Sequence, residues 1–194
     1  LSLADGCIEL QLERGWRARV MLVDGHTGRM TLLPPAGWRE PRTWALDPAG
    51  AYPHAGLPRD ALFAPDASAH AEQAAGELRL TGTHLRARIA LEPFAVTWEQ
   101  RDEQGAWQWC CGDRAESYAY AFSERSGTLW HWQQREPTQD RYFGLGDKTG
   151  PLDLHGRRLR TRMLDALGYD AKTGDPLYKH WPFFLNHRNG AACG

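Results

Sequence analysis

Hydrophobic and polar positions alternate along most of the first 140 residues. Cys7-Ile-Glu-Leu-Gln-Leu12 sets Ile8, Leu10 and Leu12 on one side and Cys7, Glu9 and Gln11 on the other. Trp16-Arg-Ala-Arg-Val-Met-Leu-Val23, Glu77-Leu-Arg-Leu80, Leu85-Arg-Ala-Arg-Ile-Ala-Leu91 and Phe94-Ala-Val-Thr-Trp-Glu99 follow the same rhythm. A period of two predicts half-buried strands. Turn residues fall between the runs. Asp24-Gly25 and Thr27-Gly28 precede Arg29-Met-Thr-Leu-Leu33, and Asp102-Glu-Gln-Gly105 joins Phe94–Gln100 to Ala106-Trp-Gln-Trp-Cys110 as a predicted hairpin. Ser117-Tyr-Ala-Tyr-Ala-Phe122 and Thr128-Leu-Trp-His-Trp-Gln133, broken at Ser126-Gly127, add two more strands.

One stretch departs from this rhythm. Residues 34–75 are rich in Pro, Gly, Ala and Asp, and read as a long loop with a short helix near Asp66–Ala75. Trp38, Trp44, Leu62 and Phe63 within it call for burial. Short strands at about ten-residue spacing with Gly turns predict an all-β fold, an antiparallel β-sandwich. At 194 residues the chain is expected to form a single domain, 1–194, with a core that needs no metal or disulfide.

Charge removes some function classes. The net charge is −1 and the basic residues are dispersed, so neither nucleic acid nor an anionic membrane is an expected partner. Arg157-Arg-Leu-Arg160 reads as a solvated or interdomain face. No signal peptide or apolar run of membrane-spanning length is read. Cys7, Cys110, Cys111 and Cys193 match no zinc or redox spacing, so reduced thiols and a cytoplasmic location are expected. Adjacent Cys110 and Cys111 are expected on opposite faces of a strand. The eight histidines form no ligand motif, and no cofactor or metal is expected. Nine tryptophans fit a saccharide protein, whose sugars stack on aromatic rings, and equally a β core.

The last fifth of the chain is more specific. Arg141-Tyr-Phe-Gly-Leu-Gly-Asp-Lys-Thr-Gly150 leads through Pro151-Leu-Asp153 and His155-Gly-Arg-Arg158 to Leu164-Asp-Ala-Leu-Gly-Tyr-Asp170 and Asp175-Pro-Leu-Tyr-Lys-His-Trp-Pro-Phe-Phe-Leu185. Read alone, the Gly-Leu-Gly pair marks a tight backbone crossing rather than a dinucleotide site. In this order and spacing the motifs resemble the segment upstream of the catalytic barrel in glycoside hydrolase family 31, the α-glucosidase and α-xylosidase family. The resemblance is sharp over residues 142–186. Asp147 stands where Glu is commoner.

The resemblance implies a β-sandwich similar to the galactose-mutarotase fold, bracing a (β/α)8 barrel that is absent from this chain. It also implies a loop, within residues 147–180, that carries an Asp to the sugar. The matching position is Asp165, in Met163-Leu-Asp-Ala166; relatives often have Asn-Arg-Asp or Asn-Thr-Asp there, so Met163-Leu164 departs. An ionised carboxylate accepts strong hydrogen bonds from vicinal hydroxyls without transferring a proton. The competing reading is that Asp165 caps a turn. Asp170 and Asp175-Pro176 read as turn residues, Tyr178 and Lys179 as lining a cleft or an interdomain seam, and Trp181-Pro-Phe-Phe-Leu185 as a strand entering the core.

Retaining glycosidases use two carboxyl groups about 5–5.5 Å apart. In this family both are barrel Asp residues, the nucleophile in Trp-x-Asp-Met, a motif this chain lacks. The chain alone is expected to be inactive, with an α-glucoside and the missing barrel as its partners. Two alternatives stand beside this reading. A free-standing carbohydrate-binding module needs an aromatic platform of its own. An aldose mutarotase-like epimerase needs a converging His and Glu, for which His84, His131, Glu99 and Glu124 are available. Asn186-His-Arg-Asn-Gly190 reads as a hairpin turn and Ala191–Gly194 as the start of its return strand. A chain stopping there is expected to be truncated, with an edge open to pairing and hence to a homo-oligomer.

Overall fold

The computed structural model describes residues 1–35, 64–74 and 76–194. Among these described residues, fourteen strands and one 3₁₀ turn, Glu13–Gly15, make up the regular structure. The strands fall in two compact units, Leu1–Gln133 and Gln134–Gly194.

The first unit is an antiparallel β-sandwich. One sheet has the order β1 (Ser2–Ala4), β2 (Cys7–Gln11), β3 (Arg17–Leu22), β4 (Gly28–Leu33). The other runs β5 (His70–Ala74), β6 (Glu77–Thr81), β7 (Leu85–Leu91), β8 (Phe94–Arg101), β9 (Trp107–Gly112). Every neighbouring pair in both sheets is antiparallel. Alternation decides what each face does. Ile8, Leu10, Ala18, Val20 and Leu22 of the first sheet share one buried cluster with Leu78, Leu80, Leu85, Ala87, Ile89 and Val96 of the second. The other face of the second sheet carries an ion-pair ladder: Arg88 donates to Glu77 at 2.7 Å and Arg86 to Glu99 at 2.6 Å. Arg88 holds the Glu77 carboxyl below its ordinary range.

The turns form as their residues predict. Asp102 Oδ1 accepts the N–H groups of Gln104 (3.0 Å) and Ala106 (2.8 Å), and Gly105 takes φ 85°. A bulge between Trp98 and Glu99 pairs Trp98 with Cys111 and Glu99 with Trp109, which leaves Cys110 outside the ladder. β10 (Tyr120–Ser123) and β11 (Thr128–His131) form a separate hairpin.

The second unit holds one three-stranded antiparallel sheet, β12 (Arg141–Gly144), β13 (Phe184–Arg188) and β14 (Ala191–Cys193). Asn189 (φ 48°) and Gly190 (φ 83°) turn the β13–β14 hairpin, the two consecutive positive φ values that Asn-Gly tolerates best. No helix among the described residues is long and apolar enough to cross a membrane.

Two expectations are corrected. Asp66–Ala74 contains no helix. Asp66 accepts the Ser68 N–H in a turn, and β5 then pairs with β6. Alanine favours helix only weakly, and pairing overrides it: Ala69 is buried against the core and Ala71 packs on it. Trp181–Phe183 is not a core strand either. Trp181 is 62% and Phe183 58% exposed, and β13 begins only at Phe184. The expected burial of Trp38, Trp44, Leu62 and Phe63 concerns residues outside those described.

Candidate functional site

The site is built from an irregular segment, residues 145–183, inserted between β12 and β13. Its entry is the Gly-Leu-Gly crossing. Gly144, Leu145 and Gly146 all have positive φ (112°, 63° and 80°). A side chain at Gly146 would stand 2.8 Å from both His180 Cα and the Lys179 carbonyl, so glycine is what lets the two strands of chain meet. Leu145 N–H donates to Phe183 (2.8 Å) and Asp147 N–H to Lys179 (3.0 Å), closing the base.

The base rests on Asp140, which is fully buried. Arg188 grips both its oxygens, at 2.6 and 2.8 Å, and the Glu136 N–H adds a bond of 2.6 Å. Burial by itself would raise the Asp140 carboxyl, but these donors outweigh it and hold it down at about 2. The Tyr142 hydroxyl, 3.3 Å from the same carboxylate, is pushed up to about 12 by burial and by that charge. Asp153 continues the network by accepting the N–H groups of Tyr142 (3.1 Å) and His155 (3.0 Å).

Further out, Lys148 and Asp175 fasten the segment. The Lys148 ammonium donates to the Arg160 carbonyl at 2.6 Å and to Asp175 Oδ1 at 2.9 Å, while Asp175 Oδ2 accepts the Arg160 N–H at 2.7 Å. Both side chains are buried, at 4% and 12% exposure. Burial works against the ionised Asp175, and Lys148 with the Arg160 N–H more than compensates, so its carboxyl lies below the ordinary value. Thr149 Oγ1 donates to Gly174 (2.7 Å), Gly150 N–H to Ala171 (3.2 Å), and Arg157 to the Thr149 carbonyl.

Asp165 sits on the segment these bonds hold. Leu164, its neighbour, donates its N–H to the buried Leu177 at 3.0 Å. The Asp165 side chain is exposed and makes no hydrogen bond or ion pair with any described residue. The turn-capping alternative is therefore not realised. Asp170 is a turn residue as expected: its Oδ1 accepts the N–H groups of Lys172 and Thr173, both at 2.8 Å. Asp175 was expected to be one also; its carboxylate instead fastens the segment. Lys148 and Asp140 fall within the motifs that carry the family resemblance, but nothing in the sequence assigns either one a role. Tyr178 is 43% exposed and meets Tyr169 edge-on at 6.5 Å.

The residues considered for a mutarotase dyad do not converge. Glu99 is paired with Arg86 on the ladder face, and His84 stacks on His26 at 4.7 Å. His131 Nε2 lies 2.6 Å from Asp113 Oδ1, and Glu124 is exposed on the β10–β11 turn.

Residues 17–194 match the family described as the Glycosyl hydrolase 31 N-terminal galactose mutarotase-like domain. The chain belongs to that family. A 55-residue stretch is 38% identical to Alpha-glucosidase 2 of Bacillus thermoamyloliquefaciens, covering 28% of this chain and 7% of that protein. The fold is similar to that of a GH31 dextranase from Flavobacterium johnsoniae, in a structure complexed with glucose, at a TM-score of 0.73 and 18% identity. The match covers 95% of this chain and 20% of the dextranase chain. A mutant of that dextranase complexed with isomaltotriose matches equally. This glycoside hydrolase 31 N-terminal domain thus spans a small part of the enzymes it resembles.

Proposed function

We propose that this domain serves a retaining family 31 α-glycosidase, an α-glucosidase, by bracing its catalytic barrel and presenting Asp165 to the bound sugar. The observation that carries the reading is the state of Asp165: an exposed carboxylate without a hydrogen-bond partner among the described residues, next to backbone anchored at Leu164. Such an acceptor is held ready for sugar hydroxyls, and little order must be imposed when they arrive. The bracing role draws on the same unit. Met163, Leu167, Trp181 and Phe183 are all more than half exposed, large apolar side chains that a covering surface would take out of water. The missing barrel is the surface proposed to cover them. The α-glucosidase assignment follows the name of the Bacillus relative. The cysteine spacings match no disulfide framework and favour a reducing compartment, the cytoplasm.

The test is Asp165→Ala in the full-length enzyme, assayed on α-glucosides. Hydrogen bonds to a charged group contribute roughly 1.5–3 kcal/mol, so kcat/KM should fall by roughly 10- to 100-fold. Unchanged kcat/KM would remove Asp165 from the site. The domain expressed alone should not hydrolyse these substrates.

A further inference from the structure

We infer that Lys148 and Asp175 are positioning residues, a clasp that closes the neck of the Asp165 segment and thereby fixes where its carboxylate is presented. The inference rests on the reading of Asp165 as a sugar contact and goes beyond it, because neither residue faces the sugar in that reading.

Residues 161–180 contain neither helix nor strand, so no ladder of backbone bonds holds them in place. Arg160 and Asp175 lie fifteen positions apart at the two ends of an excursion, and both are joined to one ammonium group. Asp175 spends one oxygen on Lys148 (2.9 Å) and the other on the Arg160 N–H (2.7 Å), so the neck is closed twice. At 4% exposure, Lys148 is far from the usual state of a lysine, whose ammonium is strongly hydrated. A buried ammonium is tolerated only where acceptors replace its water, and here a carboxylate and a carbonyl do so.

This geometry couples the clasp to Asp165 by a short path. The neck fixes residue 160, the Leu164 N–H to Leu177 bond fixes residue 164, and Asp165 follows directly. Leu177 lies two residues beyond Asp175, so releasing Asp175 also loosens the anchor of Leu164. Displacing a binding group by even about 1 Å is enough to lose much of its contribution.

Two measurements test the clasp. Thermolysin cuts before large apolar residues, and Met163, Leu164 and Leu167 are exposed inside the closed segment. Lys148→Met should speed cutting at these sites severalfold in the domain as it stands. Asp175→Asn, which keeps the shape of the site, should do so to a smaller extent. Unchanged cutting in both variants overturns the clasp. In the full-length enzyme, Lys148→Met should lower kcat/KM on α-glucosides about tenfold when Asp165 is present and leave it within about twofold when Asp165→Ala is already in place, the non-additivity of residues that act through one another. An equal loss in both backgrounds would mean that Lys148 supports the fold only, and overturns the positioning role. If Asp165→Ala alone changes nothing, the sugar-contact reading fails and the positioning role with it, while faster thermolysin cutting would still show that the neck is closed by Lys148.

Discussion

Arg188 and Asp140 face each other in a two-pronged pair, with Nε to Oδ1 at 2.6 Å and Nη2 to Oδ2 at 2.8 Å, and the carboxylate fully buried. The pair ties β13 to the residue that leads into β12. The base of the candidate site therefore depends on one ionised group.

This makes the second unit sensitive to acid. Asp140 titrates at about 2 when folded, against an ordinary value of 3.8. A depressed carboxyl stabilises the fold fully above its unfolded value, and the contribution is lost as pH falls from 3.8 towards 2. At about 1.4 kcal/mol per factor of ten, the loss is about 2 kcal/mol. Asp140→Asn should cost about 3 kcal/mol at pH 7, because a buried charge pair is broken. It should also flatten the decline between pH 5 and pH 2. Urea unfolding at the two pH values measures both, and equal acid sensitivity in protein and variant would show that Asp140 is not the group responsible.

In the sandwich a glycine packs closely against an indole. A Cβ at Gly28, on the first sheet, would lie 2.6 Å from Cη2 and 2.9 Å from Cε3 of Trp98, on the second. Gly28→Val should therefore destabilise by about 1–3 kcal/mol through overpacking. The denaturant midpoint should drop with its slope unchanged. An unmoved midpoint would mean that the Trp98 ring swings aside at no cost.

Sequence alternation made the sandwich readable because strands such as β6 and β7 have one dry face and one wetter face. Leu85, Ala87 and Ile89 point in and Arg86 and Arg88 point out, as a period of two requires. Where that asymmetry fails, so does the reading. The bulge at Cys110 leaves no mark in the residue pattern, since one extra residue costs the sequence nothing visible. The segment from 145 to 183 is held by side chains bonding to backbone, as Lys148 does to Arg160, and such bonds have no period. Asp175 before proline looks like any turn residue until its two acceptors are seen. The apolar character of Trp181 and Phe183 suggested a core, yet both are more than half exposed. Asp165 was found through family resemblance alone; its residue type and neighbours would not have singled it out.

Tyr120 offers a prediction at alkaline pH. Its hydroxyl donates to Asp113 Oδ2 at 2.5 Å, its ring stacks on His131 at 4.7 Å, and burial followed by the Asp113 charge pushes the phenol far up. The unfolded phenol ionises near pH 10 while the folded one does not, so stability falls as pH rises past 10. Tyr120→Phe should remove much of that slope and cost about 1–2 kcal/mol at pH 7, because Asp113 loses a donor and keeps the Val96 N–H at 2.8 Å. Absorbance titration should show Tyr120 absent from the tyrosines ionising near pH 10 in the folded protein. Its appearance there would refute the buried pair.

Two glycines of the second unit separate conformational need from steric need. Gly146 (φ 80°) and Gly156 (φ 73°) both have positive φ. At Gly156 a Cβ would meet nothing within 4 Å, whereas at Gly146 it would meet His180 Cα and the Lys179 carbonyl at 2.8 Å. Gly156→Ala should then cost only the left-handed penalty, about 1–2 kcal/mol. Gly146→Ala meets backbone that cannot swing away, so it should cost more, about 3 kcal/mol, and break the Asp147 N–H bond to Lys179. Hydrogen exchange at the Asp147 amide reads the second effect directly: protection should vanish in Gly146→Ala and persist in Gly156→Ala. Equal protection in the two variants would show that the crossing tolerates a side chain, and the Gly-Leu-Gly sequence would then serve backbone conformation alone.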